Sequence, residues 1–226
     1  QPYTWRRSGY RSITNTQEHG GALLRQRCDQ VPRNNRTAIF DGRRIKLFTL
    51  QDYKIKFMKL LEGKVAIVTG AARGIGEAVA IKFAEHGANI AFTYVSDGSK
   101  EKAAVLEAKL QGMGVKAKAY QSNAGDFAAC ETFVTDVLKE FGTVDILVNN
   151  AQGFGTQSAP RSSTKFMTVE EYPDDEIEYI FRTGAMSTLW GMQAVFPTMK
   201  AKGWGKIINF SSTSGILGTT GNTAYN

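Results

Sequence analysis

The sequence has few of the features that mark secreted, membrane or metal-binding proteins. Its 226 residues include two cysteines, Cys28 and Cys130, which give neither a disulfide framework nor a metal-ligand spacing. We therefore expect a reducing, cytoplasmic location and no metal site. No apolar run approaches the roughly 20 residues of a membrane-spanning helix, and no short apolar core with a cleavage site indicates a secretory signal. We expect no membrane partner.

Positive charge is concentrated at the start of the chain. The formal net charge is +7, but residues 1–57 contain twelve Lys and Arg against four Asp and Glu. The remaining residues have sixteen Lys and Arg against seventeen Asp and Glu, a net charge of −1. The basic composition therefore says nothing about the later part, and we expect no specific nucleic-acid partner.

Residues 1–57 also lack a sustained period of 2 or 3.6 in their apolar positions, so we expect them to be poorly ordered. Met58 begins a segment typical of the start of a compact domain. The favoured interpretation is that residues 1–57 are not part of the functional protein. An organelle-targeting extension and a basic nucleic-acid-binding tail are the alternatives.

From Lys64 onward, short apolar runs alternate with segments of helical period. Runs of this kind are typical of strands covered on both faces, and they occur at 65–68, 90–92, 115–120, 146–148 and 207–208. Helical stripes follow: Ile75, Val79 and Phe83 form one, and residues 127–141 contain another. The alternation predicts that residues 58–226 form an α/β domain with a Rossmann-like, doubly wound parallel sheet.

The region after Asn150 is less regular. Residues 153–168 are rich in Gly, Ser and Thr and are predicted to form a loop. The acidic residues between 170 and 178 indicate a solvated helix start. Residues 177–202 are predicted to form a long helix with its methionines and Trp190 in the core, broken or bent near Pro197.

A glycine-rich turn at residues 69–76 follows a buried strand and opens a helix. Glycines in this position let the backbone approach a pyrophosphate at the positive end of the helix. Tight strand-to-helix turns also use glycine for steric reasons, so the context carries the prediction. We predict that a dinucleotide binds at Thr69, Gly70, Arg73, Gly74, Ile75 and Gly76.

The end of the second strand indicates which dinucleotide binds. In NAD-preferring folds an acidic residue about twenty positions on binds the ribose hydroxyls. Here Tyr94 ends the strand, and no carboxylate follows before Asp97, whereas Arg73 and Lys100 supply positive charge. Cations attract a 2′-phosphate, so we predict NADP (NADPH) in preference to NAD, with Tyr94 at the site.

Polar residues after the later strands could carry the chemistry. Asn149, Asn150 and Ala151 follow one strand at the end where open α/β sheets bind ligands. Ser212 and Tyr225 stand thirteen residues apart. Two such hydroxyls can polarise a carbonyl and supply a proton, provided that a nearby cation lowers the tyrosine pKa from its usual value near 10. Ser211 and Ser214 are alternatives to Ser212 by position.

Together these motifs resemble the short-chain dehydrogenase/reductase family over residues 61–226, and residues 58–151 resemble its bacterial 3-oxoacyl-acyl-carrier-protein reductases. The resemblance implies an oxidoreductase that reduces a ketone to a secondary alcohol with NADPH. The first candidate substrate is a 3-oxoacyl thioester of fatty acid biosynthesis, either small or bound to an acyl carrier. The resemblance assigns carbonyl polarisation to Ser212, proton donation to Tyr225 and the adenine environment to Asn123. It also implies a homo-oligomer.

The sequence departs from the family pattern at several positions. Gln152 replaces a glycine, Gly184 replaces a helix asparagine, and the intervening loop is longer than usual. The family's lysine would fall at position 229, beyond the printed sequence, so we expect a C-terminally truncated form. A cofactor-binding but catalytically silent relative is the second hypothesis. A composite chain joined at Ala151 and Gln152 is a further one.

Overall fold

The computed structural model describes residues 36–41, 44–49, 59–156, 167–218 and 223–225. The chain divides into two compact units, Gln1–Lys56 and Phe57–Asn226. In the first unit, strands β1 (Arg36–Asp41) and β2 (Arg44–Thr49) pair antiparallel. Sequence analysis missed this pair because strands of six residues are too short to give a sustained period. The other predictions for residues 1–57 lie outside the described residues.

The second unit contains a parallel sheet of five strands in the order β5-β4-β3-β6-β7. This confirms the predicted Rossmann-like α/β fold. One segment, Arg182–Met186, is a π-helix and is called the π turn. In chain order the elements are β3 (Val65–Val68), α1 (Gly74–Glu85), β4 (Asn89–Tyr94), α2 (Lys100–Gly112), β5 (Ala117–Gln121), α3 (Phe127–Phe141), β6 (Ile146–Asn149), α4 (Asp174–Phe181), the π turn (Arg182–Met186), α5 (Ser187–Lys202), β7 (Lys206–Asn209) and α6 (Ser214–Leu217).

The helices cover the two faces of this sheet. Because side chains alternate along a strand, Ala66 and Val68 of β3 pack with α1 and α2, whereas Val65 and Ile67 pack with α3 and α5. All four β3 side chains are buried. Burying a valine or isoleucine side chain contributes about 1.5–3 kcal/mol, so β3 is a strongly anchored support for the turn that follows it.

The strand order also locates a crevice. The chain passes from β3 to β4 on one side and returns to add β6 on the other, so the order reverses between β3 and β6. Ligands of open α/β sheets bind at this switch point, beyond the carboxyl ends of the strands. The glycine turn follows β3 there, and Asn150 follows β6.

Helix α1 corrects one prediction. Its buried residues are Gly76, Ala80 and Ala84, whereas Ile75 is 62% exposed. Val79 and Phe83 of the predicted stripe are half-buried and pack against the core, so the stripe is wrong only at Ile75. The fully buried positions of the helix are small residues, which allow it to approach the sheet closely.

Strand β7 corrects a second prediction. It was expected to be covered on both faces, but all four of its residues are exposed, with Ile207 at 37% and Ile208 at 41%. Its position at the edge of the sheet explains the difference, because it pairs only with β6 in the described sheet. The apolar content of the run gave no sign of this, since edge and central strands can share a composition.

Residues 177–202 were predicted to be broken or bent near Pro197. Pro197 lies inside α5, so the helix is not broken there, and the irregular segment is the π turn, which precedes α5. The methionines and Trp190 are buried to different degrees: Met199 is in the core, and Met192 and Trp190 are half-buried. Among the described residues, no helix combines the length and apolarity needed to cross a bilayer.

Candidate functional site

The glycine turn after β3 is tied to the neighbouring strand β4. The backbone N–H of Gly70 donates to the hydroxyl of Thr93 at 2.9 Å, and the N–H of Ala71 donates to the Thr93 carbonyl at 3.0 Å. Thr93 is only 4% exposed. This threonine therefore fixes the first half of the turn, although sequence analysis did not single it out. Its only sequence signal was a hydroxyl within an otherwise apolar strand.

The loop after β6 is tied to the same turn by reciprocal hydrogen bonds. The Thr69 hydroxyl accepts from the backbone N–H groups of Asn150 and Ala151, each at 3.0 Å. The Asn150 side-chain amide donates in return to the carbonyls of Thr69 at 2.9 Å and Gly70 at 3.3 Å. The structure thus brings together four predicted site residues across the switch point.

The glycines of the turn are required by close packing. A Cβ on Gly76 would lie 2.6 Å from Nδ2 of Asn150 and 2.8 Å from the Gly70 carbonyl oxygen. Gly70 has φ +66°, and a Cβ there would lie 3.0 Å from Cα of Ala151. No side chain could occupy either position without movement of the backbone. The turn therefore needs glycine at both positions for its own packing, in addition to any ligand.

The amino end of α1 is open. Arg73 occupies the N-cap position, and among the described residues no side chain caps this end of the helix. Arg73, Gly74 and Ile75 are exposed. The first N–H groups of a helix lack partners within it and carry a partial positive charge. An anion such as a pyrophosphate would find free donors here, which fits the cradle that the glycines create.

The end of β4 lacks a free carboxylate. Tyr94 is half-buried, and the Asp97 carboxylate accepts a hydrogen bond from Nε2 of Gln121 at 3.1 Å. Lys100 begins α2 and is exposed, as is Arg73. Two cations, Arg73 and Lys100, thus lie on the segments that follow β3 and β4, and the Asp97 carboxylate is hydrogen-bonded to Gln121.

Asn123 and Asn149 both lie at the carboxyl ends of the strands. Asn123 follows β5, and its side-chain oxygen accepts from the Gly125 N–H at 2.9 Å. Asn149 is 6% exposed and donates to the side-chain oxygen of Asn209 at 2.9 Å, which holds β6 to β7. Asn149 therefore holds β6 and β7 together at their carboxyl ends.

The two predicted catalytic hydroxyls lie on segments near this edge. Ser212 follows β7 and is half-buried, and its Oγ accepts from the Ser214 N–H at 3.2 Å. The Tyr225 ring packs against Phe154, with centroids 5.0 Å apart. Because Phe154 belongs to the loop after β6, Tyr225 lies beside that loop. Of the alternatives to Ser212, Ser211 is exposed and Ser214 begins α6.

Glu176 is the exception to the expected solvated acidic helix start, since the other acidic residues are exposed: Glu170, Glu171, Asp174, Asp175 and Glu178. The Glu176 side chain is 3% exposed, and Oε1 accepts from the Gly155 N–H at 3.2 Å. This buried carboxylate ties α4 to the loop after β6. A buried acid is rare unless it is hydrogen-bonded, and nothing in the run of acidic residues distinguished it. In the described part of the chain, no three His, Cys, Asp or Glu side chains form a metal-binding group.

The sequence of this chain is similar to those of known dehydrogenases and reductases. The family model for the short chain dehydrogenases matches residues 64–226. A 7alpha-hydroxysteroid dehydrogenase of Bacteroides fragilis is 32% identical over 168 residues, covering 74% of this chain and 61% of that protein. The 3-oxoacyl-[acyl-carrier-protein] reductase FabG of Staphylococcus aureus is 35% identical over 162 residues, covering 72% of this chain and 61% of that protein.

Solved structures give the same result. An NAD+-bound xylitol dehydrogenase superposes with a TM-score of 0.65 at 30% identity, covering 74% of this chain and 59% of that one. A short chain dehydrogenase from Burkholderia cenocepacia in complex with NADP has a TM-score of 0.63 at 30% identity, covering 73% and 62%. The chain spans about three fifths of the length of the curated relatives it matches. It belongs to the short chain dehydrogenase family.

Proposed function

We propose that the chain binds NADPH at the switch point and that the whole protein reduces a ketone to a secondary alcohol. The observation that carries the proposal is the packing of Gly76 against the Asn150 side chain and of Gly70 against Ala151, beside an uncapped helix end. Gly70, Gly74, Ile75 and Gly76 would form the wall against the pyrophosphate. Glycine at these positions lets a diphosphate approach the backbone N–H groups closely.

The preference for NADPH over NADH rests on charge. Arg73 and Lys100 are exposed, and the Asp97 carboxylate is hydrogen-bonded to Gln121. A 2′-phosphate would gain charge-assisted hydrogen bonds from the two cations. Solved relatives bind either cofactor, as the NAD+-bound and NADP-bound structures indicate by their descriptions. The local charges therefore decide the proposal.

Ser212 and Tyr225 are proposed as the catalytic residues. When bound, NADPH supplies a hydride to the carbonyl carbon of the substrate. The Ser212 hydroxyl would donate a hydrogen bond to the carbonyl oxygen and polarise it. The Tyr225 hydroxyl would transfer its proton to that oxygen, which leaves the alcohol product and a phenolate that solvent reprotonates. Asn123 would lie near the adenine, and Tyr94 beside the ribose.

The proposed substrate is a 3-oxoacyl thioester, free or on an acyl carrier. The similarity to a 3-oxoacyl-[acyl-carrier-protein] reductase supports it, and the similarity to a 7alpha-hydroxysteroid dehydrogenase makes a secondary alcohol of a steroid the main competitor. Both substrates present the same group, a ketone or its secondary alcohol, to the same two hydroxyls. The chemistry proposed for Ser212 and Tyr225 is common to both.

Kinetics of hydroxyl variants test this function. NADPH oxidation is followed with a 3-oxoacyl thioester, for the protein and for its Tyr225→Phe and Ser212→Ala variants. Tyr225→Phe is expected to lower kcat by about 10²- to 10⁴-fold, the usual contribution of a general acid, while NADPH binding persists. Tyr120→Phe is the matched control, because the buried Tyr120 hydroxyl has no hydrogen-bond partner among the described residues. Equal turnover by Tyr225→Phe and the control would contradict the assignment.

A further inference from the structure

The π turn is braced by hydroxyl groups. The Thr183 hydroxyl donates to the Tyr179 carbonyl at 2.9 Å, the Ser187 hydroxyl to the Thr183 carbonyl at 2.6 Å, and the Thr188 hydroxyl to the Gly184 carbonyl at 2.9 Å. In a π turn the backbone N–H groups bond to carbonyls five residues back instead of four. Carbonyls that an α-helix would use are then available to accept from side-chain hydroxyls. π turns occur frequently at functional sites.

Gln152 contacts this turn from the loop after β6. Its Nε2 lies 2.9 Å from the Gly153 carbonyl, 3.3 Å from the Ile180 carbonyl and 3.4 Å from the Thr183 hydroxyl. The two amide hydrogens are thus directed at three acceptors, two of them at the junction of α4 and the π turn. In addition, the Gly153 N–H donates to the Thr183 hydroxyl at 3.0 Å. The loop and the turn are joined at several points.

Gln152 also occupies space that a side chain at position 184 would need. A Cβ built on Gly184 would lie 2.6 Å from Oε1 of Gln152, closer than real Cβ contacts come. The backbone of Gly184 is not in the left-handed region. The backbone conformation does not require glycine there, but a Cβ at position 184 would displace the end of the Gln152 side chain. The two departures from the family pattern, Gln152 and Gly184, are in contact with each other.

The loop that carries Gln152 touches the glycine turn on its other side. Ala151 lies against Gly70, and its N–H donates to the Thr69 hydroxyl at 3.0 Å. We propose that Gln152 is a positioning residue that holds the π turn to the dinucleotide crevice in place of a side chain at position 184. Its effect on the crevice, which rests on the proposed function, is transmitted through Ala151 to Gly70.

Thermal unfolding of Gly184→Ala in two backgrounds tests the shared space. Alanine is a better helix former than glycine by about 1 kcal/mol, which corresponds to a Tm rise of about 2–4 °C in a domain of this size. In a Gln152→Ala background, Gly184→Ala should raise the Tm by that amount, because the space is empty. With Gln152 present it should lower the Tm, because Oε1 must move and its amide loses its acceptors.

A Gln121→Ala background is the matched control. Gln121 ends β5 at the far edge of the sheet, and among the described residues its amide donates to the Val95 carbonyl and the Asp97 carboxylate, both on the segment after β4. Effects of distant residues without shared partners add, so Gly184→Ala should lower the Tm there as it does in the native chain. The same change in Tm in all three backgrounds would overturn the proposal.

NADPH affinity separates a positioning role from a purely structural one. Gln152→Ala should raise the NADPH dissociation constant about tenfold, the equivalent of one lost hydrogen bond. The Gln152→Ala/Gly184→Asn double variant, whose new amide could reach the same acceptors, should recover most of that loss. Unchanged affinity in Gln152→Ala would overturn the positioning role. Failure of the native chain to bind NADPH would instead contradict the proposed function. The Tm comparison would still show whether Gln152 and a side chain at position 184 compete for the same space.

Discussion

Asn150 lies against Gly76, so closely that a Cβ on Gly76 would approach Nδ2 of Asn150 to 2.6 Å. The same Asn150 amide donates to the carbonyls of Thr69 and Gly70. Two loops that follow different strands, β3 and β6, are thereby locked into one surface. The crevice at the switch point is therefore set by the protein's own packing before any ligand arrives.

Gly76→Ala should disrupt this surface. The new Cβ would meet the Gly70 carbonyl and Cα of Ala71 at 2.8 and 2.9 Å, and neither backbone atom can move freely. Overpacking of this kind costs about 1–3 kcal/mol of the free energy of unfolding. Urea denaturation measures it. Gly112→Ala is the control, since a Cβ there meets nothing within 4 Å. We expect that variant to be as stable as the native chain or more so. Equal stability of the two variants would contradict the packing argument.

Thr69 should be sensitive to loss of its hydroxyl and tolerant of loss of its methyl. Thr69→Val removes the acceptor of the Asn150 and Ala151 N–H groups, and an unsatisfied buried donor costs about 1–3 kcal/mol. Thr69→Ser keeps that acceptor and should retain most of the stability. Chemical denaturation of the two variants compares them directly. A serine variant as unstable as the valine variant would show that the methyl group, and not the hydroxyl, matters.

Arg73 should determine cofactor preference. Arg73→Ala removes one exposed cation beside the proposed 2′-phosphate site, and we expect about tenfold weaker NADPH binding, as for one charge-assisted hydrogen bond. NADH, which lacks that phosphate, should bind with nearly the native dissociation constant. Lys109→Ala also removes one positive charge, but near the carboxyl end of α2, and serves as the control. Fluorescence titration measures the affinity of the native chain and of each variant for both cofactors. Equal weakening of both cofactors by Arg73→Ala would remove the basis for NADPH preference.

Cys130 should react slowly with alkylating reagents. Burial, with a smaller contribution from Asp126, raises the pKa of its thiol to about 11. The thiolate is the reactive form, so at pH 8 the rate should fall about 100-fold below that of an unfolded cysteine with pKa near 8.5. Because the raised pKa delays ionisation, the rate should continue to rise towards pH 11. Mass spectrometry of a Cys28→Ser variant with iodoacetamide follows Cys130 alone. A plateau near pH 9 would contradict the shift.

The sequence predicted the sheet and its dinucleotide crevice because both depend on local patterns. Buried runs such as Val65–Val68 are recognisable from composition, and the glycine turn is recognisable from its position between a strand and a helix. Thr69 and Asn150 could be placed near each other because topology brings these strand ends together; their role in cofactor binding stays a prediction, and the structure adds the hydrogen bonds between their loops.

What the sequence did not predict depends on distances between elements. The close approach of α1 to the sheet places Ala80 at the fully buried contact and leaves Ile75 exposed, whereas Val79 and Phe83 are only half-buried. The burial of Glu176 depends on a loop twenty-one residues away in sequence. The contact between Gln152 and Gly184 likewise arises only when the loop after β6 meets the π turn. Periodicity within one segment contains no information on such contacts.

The most direct test of the account is thermal unfolding of the chain with and without NADPH. A ligand that binds only the native state stabilises it by RT ln(1 + [L]/Kd), about 2.7 kcal/mol at one hundred times the dissociation constant. We predict a saturable rise in Tm of about 5–10 °C for that stabilisation in a domain of this size, and its loss in Gly76→Ala. No rise with NADPH or NADH at millimolar concentration would contradict the claim that a dinucleotide binds at the amino end of α1.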